Sequence, residues 1–185
     1  MSIVPEINST RRKIVVVDDF LKNPDELREF ALSQTYGRRG SAGVRTEPFS
    51  FEIYRSCFSD LLDEKVEMGD PSSQPCNGCF QWCNAETPKV IHADQQTWAG
   101  ALYLTPDAPP EAGTIMYRSR EANAANRFNG GFFDETKWEV VDNIGNVYNR
   151  LVLWSGREVH SAAVYFGQTM EDSRLFQVFF FNSSS

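Results

Sequence analysis

The chain has 185 residues, 41% of them hydrophobic and 23% charged, and a formal net charge of -7. That length and composition suit a single domain over residues 1–185 with a sizeable core, and they exclude a disordered chain, which lacks the apolar residues to build one. The acidic balance argues against nucleic acid or an anionic membrane as partner, because both are held by clustered Lys and Arg, and "RRK" and "GRR" are too short to reverse it.

The opening "MSIVPEINSTRRKIVVVDDFL" has no uninterrupted apolar segment after a basic start, so no signal peptide is expected. No run approaches the roughly 18 apolar residues of a membrane span. The expected compartment is the cytoplasm, where cysteines stay reduced.

"KIVVVDDFL" over residues 13–21 is β-branched and predicts a strand. In "NPDELREFALSQ" Asn23 can cap, Pro24 suits the first turn, Asp25 and Glu26 favour the positive end, and Leu27, Phe30 and Leu32 supply an apolar face, so a helix follows. "SFEIYRS" over 50–56 reads as a strand and "FSDLLDEKVEM" over 58–68 as a short helix capped by Ser59. "GDPSSQPCNG" is a loop by its Gly, Pro and Ser content. Beyond it the pattern is almost wholly β, with strands expected over 80–84, 89–94, 98–105, 113–118, 148–154, 159–165 and 174–182. Turn signals such as "TPDAPPEAG" and "WSGRE" separate several of them, which points to a β-sandwich or barrel with the N-terminal helices packed on one sheet.

Cys76, Cys79 and Cys83 form C-x2-C-x3-C, but a zinc site wants a fourth ligand and only the isolated Cys57 is on offer. The cluster reads as plain thiols in a turn leading into a strand.

The two histidines, His92 and His160, carry the chemistry. His92 and Asp94 alternate with Ile91 and Ala93, and on a strand i and i+2 share a face at about 6 to 7 Å, close enough to share an ion. His160 shares parity with Ala162, Val164 and Phe166 and so looks into the interior. Each histidine taken alone reads first as a hydrogen-bonded core residue. Together with Asp94 they match the facial triad that leaves coordination positions open on non-haem Fe(II). Arg174 shares a face with Phe176, Val178 and Phe180, and a cation among aromatic rings needs an anion. Either a surface carboxylate such as Glu171 or Asp172 supplies it, or Arg174 is a bidentate anchor for a cosubstrate carboxylate.

H-x-D, a distal His and then an Arg, all within a run of strands, resemble the Fe(II)- and 2-oxoglutarate-dependent dioxygenases, especially their small prolyl-hydroxylase-like members. "VVVDDFLKNPDELREFA", "GALYLTPD", "AGTIMY" and "NRLVLWSGREVHSA" extend the likeness over nearly the whole chain. The resemblance implies a mainly β fold with N-terminal helices, a double-stranded β-helix of the jelly-roll, cupin-like kind. It implies His92, Asp94 and His160 as catalytic iron ligands and Arg174 as holder of the distal carboxylate of 2-oxoglutarate. Tyr103 is either a hydrogen-bond donor to that carboxylate or a core tyrosine. The chain departs from the pattern at Phe176, where the family often has Ser or Thr, and Asn149 and Arg150 are then alternative polar contacts or structural residues.

The implied reaction uses O2 to decarboxylate 2-oxoglutarate to succinate and hydroxylates a small-molecule or peptide substrate. Residues 119–138, rich in Asn and Gly and carrying Phe128, Phe132 and Phe133, read as a lid or as a plain variable loop. A jelly-roll module that binds carbohydrate or peptide without redox chemistry, and a cupin-like metalloenzyme that does not use 2-oxoglutarate, are the competing readings.

Overall fold

The computed structural model describes residues 13–37, 42–49, 52–67, 76–120 and 134–184. In chain order these form β1 (Ile14–Val17), α1 (Pro24–Leu32), β2 (Val44–Arg45), α2 (Glu52–Leu62), β3 (Lys65–Glu67), β4 (Phe80–Cys83), β5 (Trp98–Tyr103), β6 (Thr114–Ser119), β7 (Trp138–Ile144), β8 (Leu151–Ser155), β9 (His160–Ala162) and β10 (Arg174–Ser184). A 3-10 turn at Glu135–Lys137 precedes β7. None of the described helices is long and apolar enough to cross a membrane.

The strands make two antiparallel sheets. The larger runs β1-β8-β5-β10-β4-β2, with β3 pairing the far end of β10, and the smaller runs β7-β6-β9. Registers fix which side chains share a face, because residues opposite each other in a ladder point the same way. Arg45 lies opposite Gln81, Gln81 opposite Phe176 and Phe176 opposite Tyr103, so all four line one row of the large sheet. Cys83 and Arg174 form the next row.

Odd residues of β5 and even residues of β8 and β10 face the small sheet. Ala99, Ala101, Tyr103, Val152, Trp154, Phe176 and Val178 pack there with Met116 of β6. The opposite parity of the same strands faces the helices. Trp98, Leu102, Leu151, Leu153, Leu175, Phe179 and Phe181 bury themselves against Ala31, Tyr54, Phe58 and Leu62. Each fully buried aromatic or Leu side chain contributes roughly 1.5–3 kcal/mol. Gly113 makes the turn into β6 possible, since a Cβ there would sit 1.8 Å from the Ile144 carbonyl oxygen.

The mainly β architecture with N-terminal helices, a double-stranded β-helix, is therefore as expected, and the differences are local. "SFEIYRS" is not a strand: α2 runs through it, with Tyr54, Phe58 and Leu62 at helical spacing on the buried side and Ile53 74% exposed. Ser59 accordingly caps nothing. It sits inside α2, donates to the Arg55 carbonyl and accepts from the Val66 N–H, tying the helix to β3.

Asn23 makes no side-chain cap to α1 and donates instead to Glu26. Phe30 of that helix is 44% exposed. The stretch 89–94 forms no strand beyond a single bridge at His92, and β9 is only three residues long, so Val164 is half exposed. β7 was not expected. Its acidic and exposed positions hide the period of an edge strand.

Candidate metal centre

Two peptide hydrogen bonds join the histidines. The His92 N–H donates to the His160 carbonyl at 3.0 Å, and the His160 N–H donates to the His92 carbonyl at 2.7 Å. This is a closed antiparallel pair, so the two side chains leave the backbone on the same face about 5.5 Å apart at Cα. The Asp94 N–H donates to the Gly156 carbonyl at 2.7 Å, which brings the third residue back to the turn before β9.

The ring nitrogens are sorted by their backbone partners. His92 Nδ1 lies 3.1 Å from the Val90 carbonyl and His160 Nδ1 lies 2.8 Å from the Glu158 carbonyl. A carbonyl only accepts, so each Nδ1 donates to its carbonyl and each Nε2 is left to face inward. These face the same carboxylate: His92 Nε2 is 3.7 Å from Asp94 Oδ1 and His160 Nε2 is 3.3 Å from Asp94 Oδ2. Asp94 Oδ2 is buried without a hydrogen bond.

Three ligand atoms, one from each residue, lie within 4.8 Å of one another. Ligands sharing an ion at bonds of roughly 2.1 Å stand about 3 Å apart on one octahedral face, so small side-chain movements close the set.

Burial, followed by the neighbouring His160, pushes the His92 imidazole down to about 4, although Asp94 and the Val90 carbonyl pull the other way. Burial also works to raise the Asp94 carboxyl, but the two imidazoles and Arg45 outweigh it and hold the group below the usual carboxylate range. A neutral His92 beside an ionised Asp94 is the protonation state a cation requires.

A cavity open on one side runs from His92 and His160 to Arg174. Arg174 is 3% exposed, and among the described residues it has no carboxylate partner, neither Glu171 nor Asp172. Its Nε donates to the Ala112 carbonyl at 3.2 Å, and its guanidinium lies over the Phe176 ring at 4.1 Å and the Tyr103 ring at 5.3 Å. A desolvated contact of this kind contributes about 2 kcal/mol, which gives Phe176 a reason to stand where a hydroxyl was expected.

The hydroxyl comes from the other sheet. Thr114 lines the cavity and its Oγ1 meets the Tyr103 hydroxyl at 2.7 Å. Tyr103 itself is fully buried behind it.

Asn149 and Arg150 have structural partners instead. Asn149, at φ 62, clamps the backbone of Leu21 through both ends of its amide. Arg150 pairs with Asp18 through two nitrogens at 2.6 and 2.9 Å. The four cysteines form no metal-binding group among the described residues. Most of the expected lid, including Phe128, Phe132 and Phe133, lies outside the described residues.

Sequence reasoning missed Thr114, Trp154 and Arg45. Trp154 lines the cavity with its ring edge-on to His160 at 5.0 Å, and its indole N–H has no acceptor among the described residues. Trp154 shares parity with the β8 residue that faces the small sheet, and Thr114 with Met116, which faces the large one, a signal that needs the strand pairing to be known. Arg45 sits on a two-residue strand, too short for any periodicity.

No family model and no curated protein matches the sequence. Among solved structures, HygX from Streptomyces hygroscopicus with nickel and 2-oxoglutarate bound aligns with a TM-score of 0.55 at 11% identity, covering 94% of this chain and 84% of that one. A prolyl hydroxylase from Trichoplax adhaerens, in complex with a hypoxia inducible factor peptide fragment, aligns at 0.49 and 13% identity over 91% of this chain and 82% of that one. A prolyl-4-hydroxylase from Pseudomonas putida aligns at 0.48 and 14% identity over 94% of each chain. The chain therefore has the double-stranded β-helix fold of the 2-oxoglutarate-dependent dioxygenases, and it carries within that fold a His-Asp-His group able to hold a metal ion.

Proposed function

We propose that the protein is a non-haem Fe(II)- and 2-oxoglutarate-dependent oxygenase that hydroxylates a small-molecule or peptide substrate. The observation that carries this reading is the convergence of the two Nε2 atoms of His92 and His160 on the buried carboxylate of Asp94. Two imidazoles and an ionised carboxylate gathered at one point are a donor set that suits a divalent cation.

His92, Asp94 and His160 would hold iron on one face. Arg174, with the Thr114 hydroxyl backed by Tyr103, would hold the distal carboxylate of 2-oxoglutarate. The nickel and 2-oxoglutarate present in HygX are the kinds of ligand this reading brings to the cavity. Bound iron, with 2-oxoglutarate and O2, supplies the oxidising chemistry that yields succinate and carbon dioxide and places oxygen on a C–H bond.

The chain's own part is positional. The paired backbones fix the imidazoles, the Val90 and Glu158 carbonyls fix their tautomers, and Phe176, Val178 and Ala101 keep the cavity wall dry.

The test is incubation of purified protein with Fe(II), ascorbate and 2-oxoglutarate. Succinate above the level of a His92→Ala control is the expected result. Tight binding of both metal and 2-oxoglutarate with no succinate across a broad substrate panel would make the cavity a binding site without catalysis.

A further inference from the structure

The cavity holds a second cation. Arg45 lines it from the edge of the large sheet, in the same row as Gln81, Phe176 and Tyr103 and one row from Arg174. Gln81, itself 3% exposed, fixes its direction: Arg45 Nε donates to Gln81 Oε1 at 2.5 Å, and the Gln81 amide donates in turn to the Ala42 carbonyl at 3.0 Å. Oriented in this way, the guanidinium has no carboxylate partner among the described residues. It lies within electrostatic reach of both His92 and Asp94.

The charges in the cavity do not balance with one anion. With a divalent ion bound, its charge together with Arg45 and Arg174 would exceed the single negative charge of Asp94, and no acidic residue lines the cavity walls among the described residues. A dianionic cosubstrate bridging the ion and Arg174 leaves one positive charge over, and it sits at Arg45. In a chain whose net charge is -7, a locally positive cavity concentrates anions from solution.

We infer that Arg45 forms a second oxyanion site, distinct from the cosubstrate anchor, which holds a carboxylate or phosphate group of the primary substrate. This inference rests on the reading above of a metal- and 2-oxoglutarate-binding cavity, and it narrows the substrate class to anionic molecules. Arg suits the task because its fork meets both oxygens of such a group at once. Gln81 acts as a positioning residue that holds the fork toward the cavity.

The experiment uses the full chain loaded with Mn(II) and saturating 2-oxoglutarate, so that Arg174 is occupied, and inorganic phosphate as the probe. Mn(II) speeds the 31P relaxation of phosphate that binds near it, which reports both affinity and proximity. The expected result is saturable relaxation enhancement in the wild type, with phosphate affinity at least tenfold weaker in Arg45→Gln and largely retained in Arg45→Lys. The Kd of 2-oxoglutarate should stay within threefold of wild type in both variants.

Undiminished phosphate relaxation in Arg45→Gln overturns the inference. So does a loss of 2-oxoglutarate affinity in Arg45→Gln as large as that in Arg174→Gln, because Arg45 would then belong to the cosubstrate anchor. Failure of the wild type to bind Mn(II) or 2-oxoglutarate sinks the proposed function instead. Titration of the metal-free protein with phosphate, read by 31P line width in wild type and Arg45→Gln, then still decides the role of Arg45.

Discussion

His92 and His160 are joined by two reciprocal backbone hydrogen bonds, so the rings stand 4.4 Å apart at their centroids independently of any ion. The candidate centre is thus held in place by peptide groups.

His92 is a third exposed and supports little packing. His92→Ala should therefore leave the metal-free melting temperature within about 3 °C of wild type while weakening Mn(II) binding by at least about 100-fold. Titration calorimetry gives the affinity, and thermal melts with and without Mn(II) should show a metal-dependent rise in the wild type alone.

Arg174 is a buried cation without a carboxylate partner among the described residues, so it costs stability when the cavity holds no anion. Arg174→Gln should raise the Kd of 2-oxoglutarate by about 10- to 100-fold, the range for losing a charge-assisted hydrogen bond. The melting temperature of the ligand-free variant should be equal to or above that of wild type. Turnover that survives this change would favour a cupin-like metalloenzyme that does not use 2-oxoglutarate.

The depressed pKa of His92 makes folding sensitive to acid. The unfolded chain takes a proton at residue 92 near the ordinary value of 6.5, whereas the folded chain takes it only near about 4. Between those values the unfolded state binds more protons, so this contribution to stability is complete above pH 6.5 and is lost as the pH falls toward 4. In urea unfolding of metal-free protein at pH 6.5 and pH 5, wild type should lose more stability than His92→Asn. Equal losses would show that the folded imidazole titrates normally.

Phe58 is fully buried on the helix side of the large sheet, with ring contacts to Phe179 at 5.1 Å and Phe181 at 5.4 Å. Phe58→Ala should cost about 3–5 kcal/mol of stability. Mn(II) affinity of the folded variant should be unchanged, because the site lies on the other face of that sheet.

The residue types of the centre are visible in the sequence, and their convergence is not. Alternation around His92 suggested a strand, yet the stretch makes one bridge only, and it is the pairing with β9 that aims both rings. Long-range pairing leaves no local trace. The helix through "SFEIYRS" was legible in the spacing of Tyr54, Phe58 and Leu62, but dividing the run at Cys57 broke that period into two shorter signals. Thr114 and Arg45 enter the cavity through register alone: one reaches Tyr103 across the gap between sheets, and the other meets Gln81 on a strand of two residues.

The large sheet owes its cohesion to the helix-covered side, where Phe58, Phe179, Phe181 and Leu153 exclude water completely. Arg45, which lines the cavity from a two-residue strand at the sheet edge, is then under less obligation to folding than these residues. Changes on that wall can alter what the cavity holds while the scaffold persists, and the alignment with HygX at 11% identity shows how different a sequence the same fold accepts.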